Sequence, residues 1–561
     1  MRAFFCTYNP FRYPVQYGLF TTPMKRKFTA MVPAEKNGLK VVLTPVEERL
    51  RKLLVDAAND LSEKDAVEAP VVLRWAGGWV RDKLLGAESD DIDTAINSMT
   101  GEQFTMALVE FCARPEVAEK HGITSEDIGH LATIKKNPEK SKNLETATVR
   151  LLGLECDFVN LRKETYARDS RNPEVEFGTA EEDAERRDAT VNALFFNIHN
   201  CEVEDFTGGL ADLKAKLIRT PLEPFQTFMD DPLRVLRLVR FASRLKFSID
   251  PKAEAVMGDS RVLDALRLKI SRERVGVELG KMLKGKHPLK SLELIDRLGL
   301  YHTIFTDPTQ LEMEKPDTSR WSVVYKCVYD LSQNATPGCI WKVLARCGED
   351  EYFAWATAAI LPWEFVSDPK PPKKKGSYPQ TVRVAREGFR ATNKFCEMIA
   401  GASTFRDEIR LLKKAVCEKA EFVSERDRFG MAIRRWNSFG GAWRLRVLAT
   451  AFFEIMEETR SLQHPTAETL AAKVSDILVG WQEFLDHLED LDVMEAPSLK
   501  RIIQGTELAN ALGVKPGQWM TQALDICVAW QLRNPEATDA LGAIEEVRKR
   551  SEQLGIRPTR T

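Results

Sequence analysis

None of the ten cysteines forms a CxxC pair, and no HExxH occurs among the seven histidines. Scattered thiols of this kind point to a reducing compartment and exclude both a disulfide framework and a zinc ribbon. Any metal chemistry must therefore run on carboxylates. No run of about 18 apolar residues is present, which excludes a membrane-spanning helix. A large excess of either charge is also missing: 81 Lys and Arg stand against 83 Asp and Glu, for a net charge of -2. That balance rules out a uniformly basic nucleic-acid binder but leaves room for one basic face. Acid is absent before Glu35, whereas Arg2, Arg12, Lys25, Arg26 and Lys27 are basic. Such a leader has the composition of an organelle transit segment. The same stretch has no serine, and Pro10, Pro14 and Pro23 would interrupt an amphipathic helix. Met24 and Met31 are possible later starts that drop most of it.

What is present is a hydrophobic fraction of 43% beside 29% charged residues, enough to build a large core. The pattern from Thr44 to Leu61 predicts an amphipathic helix. An apolar run, VVLRWA, then meets Gly77-Gly78 and passes into a helical pattern, and LECDFVNLR at 154–162 alternates like a strand. Beyond about residue 215 the strand signals fade and helix follows helix to the end, an α/β front on an all-α rear. Asp368–Tyr378, DPKPPKKKGSY, reads as a solvated loop or linker.

The chemistry lies in the front. Asp91-Ile92-Asp93 puts two acids on one face of a strand, roughly 6.5 to 7 Å apart at Cα. Two like charges held together call for a cation between them, and Mg²⁺ suits hard oxygens supplemented by substrate phosphates. Gly77-Gly78 lies upstream, with Arg81 just beyond; glycines let backbone N–H groups approach phosphate, and the Arg adds a charge-matched fork. Asp157, between residues with buried character, supplies a third acid, with Glu155 in reserve on the same face. These parts suit two-metal in-line displacement at a nucleotide α-phosphate.

At 230–240, DDPLRVLRLVR predicts a helix with Pro232 in its first turn and Asp230 or Asp231 at the cap. Arg234, Arg237, Arg240 and Arg244 share one side of it, and Arg240 and Arg244 read as an ordinary basic face. Asp231 and Arg234 stand at i, i+3 and can offer one base edge a joint acceptor and donor. The carboxylate accepts from the exocyclic amine of cytosine or adenine. Uracil and guanine carry a carbonyl there, so the pair would accept C and A without a nucleic-acid template.

These residues resemble the class II tRNA nucleotidyltransferases, the CCA-adding enzymes, in their eukaryotic form. GGWVRDKLLG followed by DDID is similar to the family's catalytic signature, ERRDATVNAL at 185–194 to its ribose-reading motif and DFTGGLADL at 205–213 to its hinge. DDPLRVLRLVRFASR at 230–244 resembles the base-selecting helix, SRERVGVEL at 271–279 its supporting helix, and residues 505–535 the family's tail.

The resemblance implies an α+β fold: a nucleotidyltransferase head with a mixed sheet at 44–200 after a basic leader at 1–43. A neck at 201–285, a helical body at 286–470 and a tail at 471–561 would follow. Asp91 and Asp93 would hold Mg²⁺, with Asp157 assisting. Gly77, Gly78, Arg81, Arg187, Asp188, Asn192, Asp231, Arg234 and Arg237 would bind nucleotide, Asp188 at the ribose 2′-OH. Asp230, where bacterial members usually carry Glu, would orient the helix. The flexible loop needed for the terminal A would be residues 134–150.

The implied reaction adds C, C and A stepwise to the tRNA 3′ end from CTP and ATP, releasing pyrophosphate. The helical rear would hold the acceptor and TΨC arms. The implied location is mitochondrial, with cytosolic and nuclear pools from the later starts. The rivals are a poly(A) polymerase of the same superfamily, with the same head motifs, and a catalytically inactive RNA-binding subunit. Intact Gly77, Gly78, Asp91 and Asp93 argue against the latter.

Overall fold

The computed structural model describes residues 40–63, 69–89, 91–124, 126–129, 132–134, 146–165, 173–310, 313–367, 378–438 and 440–556. Residues 1–39 of the basic leader, most of the 134–150 loop and nearly all of Asp368–Tyr378 lie outside the described residues. Among those described, no helix is long and apolar enough to cross a membrane.

The front half opens with α1 (Pro45–Glu63), β1 (Leu73–Ala76), α2 (Gly78–Leu84), β2 (Asp91–Ile96), α3 (Gly101–Cys112) and α4 (Pro115–His121). Next come β3 (Ala132–Ile134), β4 (Thr146–Leu151), β5 (Leu154–Asn160), β6 (Arg162–Thr165), β7 (Glu174–Phe177) and α5 (Ala180–Glu185). A 3₁₀ turn at Thr190–Asn192 leads into β8 (Phe195–Asn197) and β9 (Glu202–Glu204). Seven strands form one mixed sheet in the order β3-β4-β5-β2-β1-β8-β9, while β6 and β7 pair separately. The central strands β2 and β5 run parallel, and β1 flanks β2 antiparallel.

Period-two alternation sets what each face does. Ile92 and Phe158 turn to the helix-covered side and are fully buried, so Asp91, Asp93 and Asp157 fall on the opposite face. Behind the sheet, Phe104 of α3 packs on Phe158 with ring centroids 5.3 Å apart. Trp75 and Trp79 meet edge to face at 4.7 Å. Gly101 lets α3 lie directly on β5, because a Cβ there would stand 1.9 Å from the Phe158 carbonyl oxygen. Beneath the sheet, Trp79 and Lys83 of α2 both reach Glu47 of α1, at 3.2 and 2.8 Å.

After the sheet come α6 (Gly209–Ala215), α7 (Pro224–Asp230), α8 (Leu233–Leu245), α9 (Pro251–Met257), α10 (Ser260–Lys269) and α11 (Arg272–Leu283). The strand signal is not wholly lost here: Leu217–Ile218 (β10) and Ser248–Ile249 (β11) pair in parallel and tie the two ends of α7–α8 together. Two residues per strand are too few to leave a periodic trace. Of the two acids expected at the cap of α8, Asp230 is not the one found there. It closes α7, and its carboxylate accepts from Gln226 Nε2 at 2.6 Å. Pro232 cannot donate a backbone N–H, so the chain turns at Asp231, whose Oδ1 accepts from Leu233 N at 3.2 Å and takes over the capping.

From Pro288 to Lys549 the rear is helical. A continuous core runs from Leu50 to Val493 and includes the fully buried Trp321, Trp436 and Trp481. The last three helices have their own small core around Leu508, Cys527 and Val547. They dock on Arg426–Trp436 at Gly430, where a Cβ would approach Leu532 Cδ1 to 2.7 Å. Trp519 and Trp530 pack against that small core.

Candidate active site

The sheet's polar face, α8 from Arg234 to Arg244 and the first turn of α11 line a cavity of ≈ 620 Å³. The twelve residues expected to bind metal or nucleotide all line it, from Gly77, Asp91, Asp93 and Asp157 on the sheet side to Asp231, Arg234 and Arg237 on the helix side.

Strand register sets the carboxylates side by side: Asp93 pairs with Asp157 and Asp91 with Glu155. Asp157 is anchored by Thr148 Oγ1, which donates to its Oδ1 at 2.5 Å. Glu155 is exposed and outside the cavity lining. Burial raises the Asp93 carboxyl to about 6; Arg187 opposes the rise, while Asp91 and Asp157 add to it. Asp91 is raised by burial, then by Asp157 and Glu155, with Lys281 pulling the other way. Carboxylates raised by burial and by one another are relieved by a divalent cation between them, so the donor set fits one. Among the described residues no three His, Cys, Asp or Glu converge closely enough to hold an ion alone. Asp91 and Asp93 therefore fit Mg²⁺ as a partial shell, completed by substrate phosphates.

Gly77 has φ +70° and forms the turn between β1 and α2. A Cβ at Gly77 would stand 3.0 Å from Arg187 NH1 and 3.7 Å from Asp93 Oδ2. Arg187 is aimed there by Asp183, whose Oδ2 accepts from its Nε at 3.0 Å, and by the Asn192 carbonyl at 3.1 Å. Gly77→Ala is expected to cost about 1 kcal/mol in backbone strain. It should also push Arg187 off the cavity floor, seen as a several-fold rise in nucleotide KM.

Arg81 is 2% exposed and is not left open toward a phosphate. Its guanidinium donates to Asp82 at 2.8 Å and to Asn192 Oδ1. Asn192 Nδ2 donates to Asp188 Oδ1 at 3.1 Å, and Asp188 Oδ2 accepts from Arg237 Nε at 2.5 Å. Glu278 of α11 then holds Arg240 at 2.6 Å and Arg237 at 3.6 Å. Arg244 returns to Asp82 at 3.0 Å. This chain of polar contacts clasps α2 and the 3₁₀ turn to α8 and α11. Burial pushes Asp188 up, but Arg237 and the Asn192 hydrogen bond outweigh it and hold the carboxyl at about 2.

That depression has a consequence for stability. A carboxyl lowered on folding contributes fully above its unfolded pKa of about 4 and loses that contribution as pH falls toward 2. Asp188→Asn is expected to lose about 3 kcal/mol at pH 7, as for breaking a buried pair. The variant should then lose less further stability than wild type between pH 4 and 2, as followed by denaturant titration.

Asp231 and Arg234 reach the cavity from its other side. The Arg186 carbonyl accepts from Arg234 NH2 at 2.6 Å, and Arg274 NH2 reaches Asp231 Oδ2 at 3.4 Å. Several cavity residues escaped the sequence reading: Arg162, Glu164, Arg186, Arg240, Arg244 and Arg274. For Arg240 and Arg244 the signal was their phase with Arg234 and Arg237. Arg162 and Glu164 sit on a short strand whose alternation gives no hint of which face is functional. Elsewhere His121 pairs with Asp56 at 2.9 Å, His199 accepts from Leu73 N, and Cys156 is buried with its thiol pushed up to about 12. None of them lines the cavity; His130 lies outside the described residues.

A mixed sheet presenting acids from two adjacent strands, capped by an arginine-rich helix, defines a nucleotidyltransferase head on a helical rear. The profile described as "Poly A polymerase head domain" matches residues 73–219, and "Probable RNA and SrmB- binding site of polymerase A" matches 246–312. "Nucleotidyltransferase lcsQ" of Purpureocillium lilacinum is 52% identical over 554 residues, covering 92% of this chain and 93% of that protein. The mitochondrial CCA tRNA nucleotidyltransferase of Saccharomyces cerevisiae is 39% identical over 526 residues, 90% and 93% of the two chains. A solved CCA-adding enzyme in complex with ATP has the same fold at a TM-score of 0.61 and 18% identity, covering 94% of this chain and 99% of that one. The chain belongs to the eukaryotic CCA-adding tRNA nucleotidyltransferases of the polymerase-β-like superfamily.

Proposed function

We propose that the protein adds C, C and A stepwise to the 3′ end of tRNA from CTP and ATP, releasing pyrophosphate at each step. One observation carries this reading: the Asp91, Asp93 and Asp157 carboxylates face the Asp231–Arg234 pair across a single cavity. A nucleotide lying between them would place its triphosphate at the carboxylates and its base edge at the pair. The names of the relatives, which include tRNA and CCA addition, support the same reading.

In this arrangement Arg187 meets the triphosphate beside Gly77, and Asp188 and Asn192 bound the ribose. Asp231 accepts from the amine of C or A while Arg234 donates to the ring. Mg²⁺, when bound, neutralises phosphate charge and favours ionisation of the attacking 3′-hydroxyl. Asp91 and Asp93 are the residues that would hold it. Adding Mg²⁺ together with CTP is expected to raise the Tm above that with CTP alone, and the extra rise should vanish in Asp91→Asn/Asp93→Asn. An equal rise in both proteins would remove the carboxylates from the metal site.

The working reaction is tested by stoichiometry on tRNA lacking its last three nucleotides. Three pyrophosphates per tRNA, followed by arrest, is the expected result. Continued release beyond three, with a growing A tract, would turn the reading to poly(A) synthesis, which the head profile also accommodates. The tRNA contact is assigned to the acceptor and TΨC arms. We place the protein in mitochondria, as the yeast relative's name and the basic leader support, with cytosolic and nuclear pools from Met24 or Met31. Fluorescent fusions beginning at Met1 and at Met31 should separate to mitochondria and cytosol.

A further inference from the structure

Helix α11 has two working faces. Arg274 and Glu278, at i and i+4, turn toward α8: Arg274 NH2 reaches Asp231 Oδ2 at 3.4 Å, and Glu278 holds Arg240 at 2.6 Å and Arg237 at 3.6 Å. Arg272 and Gly276, also at i and i+4, each lie about 160° round the helix from Arg274 and face the helical body. Arg272 is buried, and its NH1 donates to the Thr303 carbonyl at 2.9 Å in the short helix Tyr301–Ile304. Gly276 lies backbone to backbone against Phe389, for a Cβ there would stand 2.0 Å from the Phe389 carbonyl oxygen. Glycine suits a helix interior poorly, and this contact gives the reason for it. Gly280, on the same helix, has nothing within 4 Å of where its Cβ would be.

Phe389 is itself fixed from behind. It follows the π-helical turn Val384–Gly388, beyond which Ala391 N donates to the Ala385 carbonyl at 2.9 Å. Turns of this kind are rare and frequently mark functional sites. The Phe389 ring is buried against Phe305, with centroids 6.0 Å apart. A Cβ at Gly388 would stand 2.7 Å from the Thr306 carbonyl oxygen. Arg390 has φ +52°, and its Nε donates to Glu273 Oε1 at 2.9 Å. Residues 272–276, 303–306 and 388–390 therefore meet with no slack. A wedge at Gly276 must be taken up by α11 moving toward α8.

We propose that the Gly388–Phe389–Arg390 turn of the body is a positioning element for base selection. It seats Gly276 of α11 and thereby aims Arg274 at Asp231 and Glu278 at Arg237. The inference rests on the base-reading role given above to Asp231 and Arg234 and extends it to a segment that touches no nucleotide. At 3.4 Å the Arg274 contact is near the outer limit of a hydrogen bond, so a small displacement of α11 breaks it. Packing alone predicts something different: a wedge at Gly276 would lower stability and leave the choice of nucleotide intact.

The test compares Gly276→Ala with Gly280→Ala in the full-length protein, with tRNA lacking CCA and either CTP or UTP. Gly276→Ala should lower the CTP-over-UTP ratio of kcat/KM about tenfold, within the range expected when a positioned group is displaced by about 1 Å. Gly280→Ala should keep the wild-type ratio. In an Asp231→Ala background, Gly276→Ala should lower the ratio by no more than about twofold further, because both changes act through one carboxylate. Arg390→Ala removes only an exposed ion pair and should lower the ratio about two- to threefold. It decides the matter if Gly276→Ala does not fold. An unchanged ratio in a folded Gly276→Ala protein would overturn the proposal, as would an unchanged ratio in Arg390→Ala. A fully additive loss in the Asp231→Ala background, or an equal loss in Gly280→Ala, would do the same. If wild type prefers CTP and the variants match it, only this inference fails; if wild type uses UTP as readily as CTP, the functional reading fails first.

Discussion

Asp93→Ala is expected to lower the rate of nucleotide addition by roughly 10³-fold or more, the scale of losing a preorganised charge clamp at the reacting phosphate. Nucleotide affinity should change far less, because Arg187, Asp231 and Arg234 remain. Stability should not fall. Asp93 is raised to about 6 by burial and by its acidic neighbours, so its removal relieves a strained charge in the cation-free protein. A folded, nucleotide-binding, inactive variant is the signature sought in single-turnover extension and a thermal melt. An active Asp93→Ala protein would move the chemistry away from these strands. Asp157 is held by Thr148 at 2.5 Å, and Asp157→Ala should repeat the pattern of reduced rate with retained binding.

Loss of base discrimination is the second large effect. Removing either Asp231 or Arg234 leaves one reader of the base edge instead of two, and a missing buried hydrogen bond is worth about 1–3 kcal/mol. The preference for CTP over UTP, as kcat/KM, should therefore fall roughly 5- to 150-fold in Asp231→Ala or Arg234→Ala. Arg274→Ala leaves both readers in place but frees the Asp231 carboxylate that it holds at 3.4 Å, so a smaller, few-fold loss is expected. The readout is the ratio between nucleotides, which general damage to the fold would not shift selectively. Equal losses for CTP and UTP in all three variants would make these residues structural rather than selective.

How much of this was legible in the sequence depends on how local each feature is. The acids at 91 and 93 share a strand face by period alone, and the glycine turn before α2 follows from Gly77-Gly78. Both are short-range features. Pairing of Asp93 with Asp157 depends on a parallel register between β2 and β5, which no local pattern encodes. The clasp from Arg81 through Asp188 to Glu278 was invisible for the same reason. It joins residues up to about 200 positions apart, and spacing made Arg81 look available to phosphate when its guanidinium is engaged inside the protein. Arg240 read as part of an ordinary basic face because a helix's arginine side has that meaning until something packs over it, here α11 through Glu278; Arg244 keeps that exposed character and pairs with Asp82 from the surface. Asp-Asp-Pro marks a helix start, but two acids in a row leave open which one sits at it: Asp231 stands before α8, and Asp230 closes α7.

In the function proposed above, side chains select C twice and then A at one carboxylate site, without a nucleic-acid template. The most direct measurement supplies nucleotides separately to tRNA lacking CCA and resolves products to one nucleotide. Two additions are expected with CTP alone, and a third only when ATP is also present. An A ladder with ATP alone, or UTP and GTP used as readily as CTP, would contradict it.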